Sequence, residues 1–185
     1  MKRCAWAGDD PLMRAYHDEE WGVPQHDSRM LWEMLMLEGF QAGLAWSVIL
    51  HKREGFRKAF AGFNPKKVAR FGKKDVDRLM ADAGIVRNGA KIDATVGNAA
   101  AVLAIAAESG SFDAYLAERV PPPPARLPSD AIAGSIQAST PASDSLSMDL
   151  KRRGFRFVGS TIVYAFMQSI GLVDDHLPEC FRYQG

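Results

Sequence analysis

Two cysteines and two histidines mark the ends of this 185-residue chain. Cys4 precedes His17 near the N-terminus, and "DDHLPEC", residues 174–180, sets His176 four positions before Cys180. A Cys4–Cys180 disulfide, a shared metal ion and plain coincidence compete to explain them. Two thiolates and two imidazoles make a closed tetrahedral zinc site, the structural kind with no open position for a reacting water. The spacing is not that of a zinc finger, so the residues alone leave zinc and coincidence both open. His26 and His51 have no cysteine neighbour and read as surface residues.

Glu38 is a second candidate. On a helix, positions 31, 34, 35 and 38 share one face, which puts the carboxylate in line with Leu31, Met34 and Leu35. An acid on an apolar stripe is costly unless it has a partner or a task; the competing reading is a helix-end side chain turned out to water. Trp6, Tyr16, Trp21, Trp32, Phe40 and Trp46 crowd the same region. Most such rings build core, Trp32 above all, yet flat rings beside one carboxylate suit a planar heterocycle stacked between faces and read at its edge.

The third candidate is "RGFRFVGST", residues 153–161. Gly154 and Gly159 free the backbone between two helices, and the N–H groups of Gly159, Ser160 and Thr161 open the second helix with no partner of their own. With Lys151, Arg152 and Arg153 nearby, such a hairpin is an anion site. The alternative is a tight turn and nothing more.

Helices must position these groups, because helical signals dominate and strand alternation is almost absent. Asp10-Pro11 opens a helix that runs to about Glu20, before Gly22 and Pro24. Asp27 or Ser28 opens a second, apolar on nearly every side and therefore buried. Asn64-Pro65, Asp75 and Asn88 read as further starts, and residues 90–108 as an alanine-rich amphipathic helix. Ser143 caps a helix to Arg153, and another runs from Thr161 to about Ile170. The expected fold is all-α: one domain over 1–185, of two helical lobes, with a proline-rich surface crossover at about 120–142.

Composition narrows the classes. At 47% hydrophobic and 10% aromatic the chain can build a core without cross-links. No leader and no run of about 18 apolar residues is visible, so the expectation is a cytoplasmic protein with no membrane partner. In that reducing compartment a disulfide is disfavoured. Net charge is +1, but the cations come in bursts, at 52–58, 66–74 and 151–156, while acids gather at 9–20. Each burst is by itself an ordinary solvated face; together they weakly favour an anionic partner.

"RCAWAGDDPLMRAYHDEEWGVPQHD", "LEGFQAGLAWSVILHKRE", "DAGIVRNGAKIDATVGNA" and "TPASDSLSMDLKRRGFRFVGSTIVYAFMQSIGLVDDH" with the following cysteine closely resemble bacterial 3-methyladenine DNA glycosylases of type I. The resemblance spans almost the whole chain and weakens only at about 109–138. It implies a helix-hairpin-helix glycosylase, monomeric, that flips an alkylated base from double-stranded DNA and hydrolyses its N-glycosidic bond. It implies one structural Zn2+ per chain on Cys4, His17, His176 and Cys180, joining the N- and C-terminal segments. It further implies Glu38 as the catalytic residue, a base pocket of Tyr16, Trp46, Trp21 and Glu38, and DNA contacts at Leu44, as wedge, and at Gly154, Gly159, Ser160 and Thr161.

Two departures bear on the site. Met13 stands where the family pattern has tyrosine. Asp174 stands where the family has asparagine and other helix-hairpin-helix glycosylases keep a catalytic aspartate; it is either an accidental return, facing away from the pocket, or a carboxylate opposite the sugar's developing positive charge. No lysine occurs where bifunctional relatives have one, so no strand cleavage is expected. The rivals are a non-catalytic DNA-binding hairpin module, which gives Glu38 and its rings no purpose, and a zinc hydrolase, which needs an open metal position.

Overall fold

The computed structural model describes residues 1–122 and 124–184. Pro123 of the expected crossover and the terminal Gly185 lie outside the described residues. The helices are α1 (Pro11–Glu19), α2 (Ser28–Gln41), α3 (Trp46–Ala59), α4 (Pro65–Val68), α5 (Lys73–Ala81), α6 (Gly89–Ser109), α7 (Phe112–Arg119), α8 (Pro141–Arg152) and α9 (Ser160–Ser169). Two short strands, β1 (Ala125–Arg126) and β2 (Val173–Asp174), pair in parallel, Arg126 opposite Asp174. The fold is all-α apart from this pairing, and α8, the 154–159 turn and α9 form the helix-hairpin-helix.

Capping chemistry sets the helix starts. Asp10 accepts from the Leu12 amide with Pro11 at the first helical position, and Asp27 accepts from the Arg29 and Met30 amides. Asn64 and Asn88 cap α4 and α6 as expected. Two expected caps shift by three residues. Asp75 sits in the first turn of α5 and accepts from the Gly72 amide, so Gly72 is the cap. Ser143 sits in the first turn of α8 and exchanges hydrogen bonds with Thr140, the true cap. Ser143 is the far half of a reciprocal box, and Asp75 makes the same back-bond to a glycine that has no side chain to return it; in sequence either residue looks like a cap.

α2 is the axis of the core. Every residue from Leu31 to Phe40 is buried, with α3, α6, α7 and α9 packed around it. Each Leu, Met or Phe so enclosed contributes roughly 1.5–3 kcal/mol. Glu33 is enclosed too, and is held by Arg53 and Arg57 of α3. α6 reaches a mean hydropathy of 1.3 over an 18-residue window, long and apolar enough by that measure to cross a membrane. The sequence shows no unbroken apolar run because Lys91, Asp93 and Asn98 interrupt it. In the fold α6 packs its apolar side against α2, α4, α5 and α7.

Candidate active site and metal cluster

A cavity of about 470 Å³ opens where α1, α2, α3 and α9 meet, ample for one heterocycle. Met13, Tyr16 and Trp21 line it from α1 and the turn after it, Glu38 and Gln41 from the last turns of α2, and Trp46 and Ser47 from the start of α3. Trp6, Ala45, Ala165, Gln168 and Ile136 complete the wall. The four residues expected to receive the base, Tyr16, Trp21, Glu38 and Trp46, are thus brought together by three separate elements. Trp6, Gln41, Ser47, Ile136 and Gln168 were not expected; only Trp6 left a signal, as one ring in an aromatic crowd.

Glu38 is only 4% exposed, and no described residue neutralises it. Burial alone pushes its carboxyl up to about 8. The alternative of a helix-end side chain turned out to water does not hold, because α2 is enclosed along its whole second half. Around it, Tyr16 and Trp46 lie with ring centroids 5.3 Å apart and planes tilted by 46°. Trp6 meets Tyr16 edge-on at 6.2 Å and Trp21 at 5.0 Å. Burial pushes the Tyr16 phenol well above its ordinary range, with Glu38 adding to the effect, so it stays a neutral donor. Met13 gives the wall a soft apolar patch.

Beside the cavity, the chain between α2 and α3 turns at Gly43, whose φ of +83° is the left-handed region that favours glycine. The turn raises Leu44 to 40% exposure, an apolar side chain presented to water next to the cavity mouth. The 154–159 hairpin turns at Gly154, with φ +89°, and Gly159 starts α9 with no side chain capping it, as the anion-site expectation requires. The charge around it is redistributed relative to expectation. Arg153 is held by Glu108 and Asp149, and Arg152 by Asp149, so Lys151 and Arg156 are the hairpin cations free of ion pairs among the described residues.

Cys4, His17 and Cys180 converge behind α1, with ligand atoms all within 4.8 Å of one another and both thiols free. Nε2 of His17 lies 3.4 Å from Sγ of Cys180, while its Nδ1 lies 2.7 Å from Asp18, itself gripped by Arg3. His176 meets His17 ring to ring at 5.0 Å, nearly perpendicular. Its Nδ1 is engaged by Asp174 at 2.6 Å, and its Nε2 is buried with no partner among the described residues. Each histidine therefore has a carboxylate on Nδ1, an arrangement that orients imidazoles toward a metal; Nε2 of His17 also accepts from the Cys4 amide at 3.3 Å, whereas Nε2 of His176 has no such bond. Burial pushes the Cys4 thiol up to about 11, with Cys180 adding to it, and burial likewise lowers His17. The Cys4, His17 and Cys180 donors suit a metal ion, and His176, with its orphaned Nε2, stands beside this three-residue cluster and not within it. Residues 176–180 are not helical, so the spacing of four does not arise from one helical turn.

Trp21 joins the two centres, lining the cavity and packing edge-on against His176 at 4.6 Å. The next residue must be glycine: Gly22 has φ +76°, and a Cβ there would stand 2.9 Å from the His176 ring. Asp174 is not in the cavity wall.

A family profile described as methyladenine glycosylase matches residues 6–183. The DNA-3-methyladenine glycosylase 1 of Escherichia coli K12 is 49% identical over the whole chain and 98% of its own length. A crystal structure of 3-methyladenine DNA glycosylase I superposes with a TM-score of 0.95 at 48% identity, covering 99% of this chain and all of that one. A variant of another 3-methyladenine DNA glycosylase I, crystallised with 3-methyladenine, superposes at 0.94 with 37% identity over all of this chain and 99% of that one.

Proposed function

The chain belongs to the methyladenine glycosylase family, and on that footing we propose that it excises 3-methyladenine from alkylated double-stranded DNA. It is a monofunctional glycosylase: the damaged base is flipped from the stack and its N-glycosidic bond hydrolysed, without strand cleavage. The observation that carries this assignment is Glu38, an unpaired buried carboxyl facing a ring-lined cavity of about 470 Å³.

Methylation at N3 leaves the adenine in DNA cationic, so the bond from C1′ to the base is already weak and the base is a good leaving group. The site has little protonation to do. Glu38, once ionised, accepts from the exocyclic amine and complements the positive charge, which an uncharged adenine lacks. Tyr16 and Trp46 stack on the flipped base, with Trp21 behind them, and Glu38 is the catalytic residue. As the bond breaks its electron pair stays with the base, which leaves neutral, and water adds at the cationic C1′ and gives one proton to solvent. Leu44 fills the gap in the stack, and the amides at Gly159, Ser160 and Thr161, beyond Gly154, grip the phosphates.

Cys4, His17, His176 and Cys180 would hold one structural Zn2+, which supplies no reacting water and ties the C-terminus behind the helix carrying Tyr16. Asp174 orients His176 and takes no part in the chemistry. The protein acts as a monomer on DNA, a single domain of two helical lobes, and its free thiols suit the reducing cytoplasm. Incubation with methylated duplex DNA and identification of the released bases tests the assignment. Release of 3-methyladenine that Glu38→Gln suppresses is expected; release unaffected by that change would overturn it.

A further inference from the structure

α6 carries three buried polar side chains that the chemistry above does not use, Lys91, Thr95 and Asn98, and the first and last reach other elements. Lys91 donates from Nζ to the carbonyls of Phe40 at 2.8 Å and Ala42 at 2.7 Å, where α2 ends. These carbonyls have lost their helical partners and carry the negative end of the helix dipole. Asn98, one heptad on, takes the Arg156 backbone on both sides: its Nδ2 donates to the Arg156 carbonyl at 2.9 Å, and its Oδ1 accepts from the Arg156 amide at 2.9 Å.

The two grips hold different turns. Lys91 fixes where the chain leaves α2 for Gly43 and Leu44. Asn98 fixes the hairpin one residue before Phe157, whose φ of +56° lies in the left-handed region that costs a non-glycine residue about 1 kcal/mol or more. Between them the Thr95 hydroxyl donates to the Lys91 carbonyl at 2.9 Å. The hairpin also lies directly on α2, where a Cβ on Gly39 would stand 3.3 Å from the Phe157 carbonyl. Seven residues of helix set the two grips about 10 Å apart along one rigid axis. A methionine or leucine at position 91 would avoid the cost of burying an ammonium, but would leave the turn before Leu44 unanchored.

We propose that Lys91 and Asn98 are positioning residues that hold the Leu44 turn and the 154–159 hairpin at a fixed separation, so that wedge and phosphate grip engage one duplex together. This rests on the DNA-glycosylase assignment above. Neither residue lines the base cavity, so duplex recognition and base recognition separate in the test.

Lys91→Met keeps the apolar stem without its ammonium. Asn98→Asp keeps the acceptor for the Arg156 amide and sets an acceptor against its carbonyl. Each variant is measured for affinity toward a duplex carrying a tetrahydrofuran abasic site, and separately for affinity toward free 3-methyladenine by tryptophan quenching. The expected result is duplex binding weakened about tenfold, the scale of one lost charge-assisted or paired hydrogen bond, with free-base affinity unchanged. Unchanged duplex affinity, an equal loss in both assays, or failure of both variants to fold would overturn the proposal. The wild-type protein's release of 3-methyladenine from methylated DNA is measured alongside; its absence would defeat the functional assignment, not the positioning role.

Discussion

Oδ1 of Asp174 lies 2.6 Å from Nδ1 of His176 and 3.3 Å from the amide of the same residue. A carboxylate so placed locks the imidazole and leaves Nε2 as its free nitrogen, outside the base cavity. Asp174→Asn is expected to release 3-methyladenine at close to the wild-type rate while holding zinc about 10–100-fold more weakly, measured by competition with a chromogenic chelator. Collapse of excision with zinc still bound would place Asp174 in the chemistry.

Glu38 makes stability depend on pH in a definite direction. Its folded value of about 8 lies above the ordinary 4.5, so the folded state binds a proton that the unfolded state has lost between those values. Stability is full below pH 4.5 and falls as pH rises, by about 3 kcal/mol at pH 7. Glu38→Gln should therefore unfold at a higher denaturant concentration than wild type at pH 7–8 and at nearly the same one at pH 4, while losing excision. Equal midpoints at pH 8 would show that the carboxylate carries no burial penalty.

The same ionisation governs the reaction. Because the anion is the form that complements a cationic base, kcat/KM should climb with pH, reach half its plateau near pH 8 and level off about one unit above. A profile that is flat from pH 6 to 9 would contradict the assigned role of Glu38.

Leu44 is 40% exposed on its turn beside the cavity. Truncation by Leu44→Ala should slow single-turnover excision from duplex DNA about tenfold, the worth of the apolar area it would insert. Affinity for free 3-methyladenine should not change. Parallel losses in the two assays would remove its role as wedge.

Ion pairing divides the hairpin cations. Lys151→Ala and Arg156→Ala should each lower the slope of log binding constant against log salt by about 0.9, one released counterion apiece. Arg153→Ala should leave the slope unaltered, since Glu108 and Asp149 already take its charge. An equal slope change in all three variants would show that those ion pairs open on DNA.

Local rules are legible in sequence wherever a residue acts on its own neighbourhood. Asp10, Asp27, Asn64 and Asn88 cap the helices they were expected to cap, since a capping side chain reaches only two or three residues. Asp75 and Ser143 were misplaced by three residues because a first-turn side chain that accepts from the cap's amide looks in sequence like the cap itself. The face of α2 carrying Glu38 follows from helical spacing, and the order of the family motifs carries the pocket and the cysteine–histidine set.

Burial and partnership belong to the tertiary structure. Whether Glu38 faced water or a cavity depended on four helices packing around α2, and its pKa follows from that enclosure alone. Arg152 and Arg153 read as free cations until Asp149 and Glu108 were found to hold them. Ile136 enters the cavity wall from the stretch where the family resemblance is weakest, and Lys91 and Asn98 were unremarkable polar residues on an alanine-rich helix. A carboxylate's charge, a cation's availability and a lysine's grip on a helix end each depend on atoms tens of residues away in the chain. Spacing in sequence limits which side chains share a helix face; the packed fold determines which of them lose water and what replaces it.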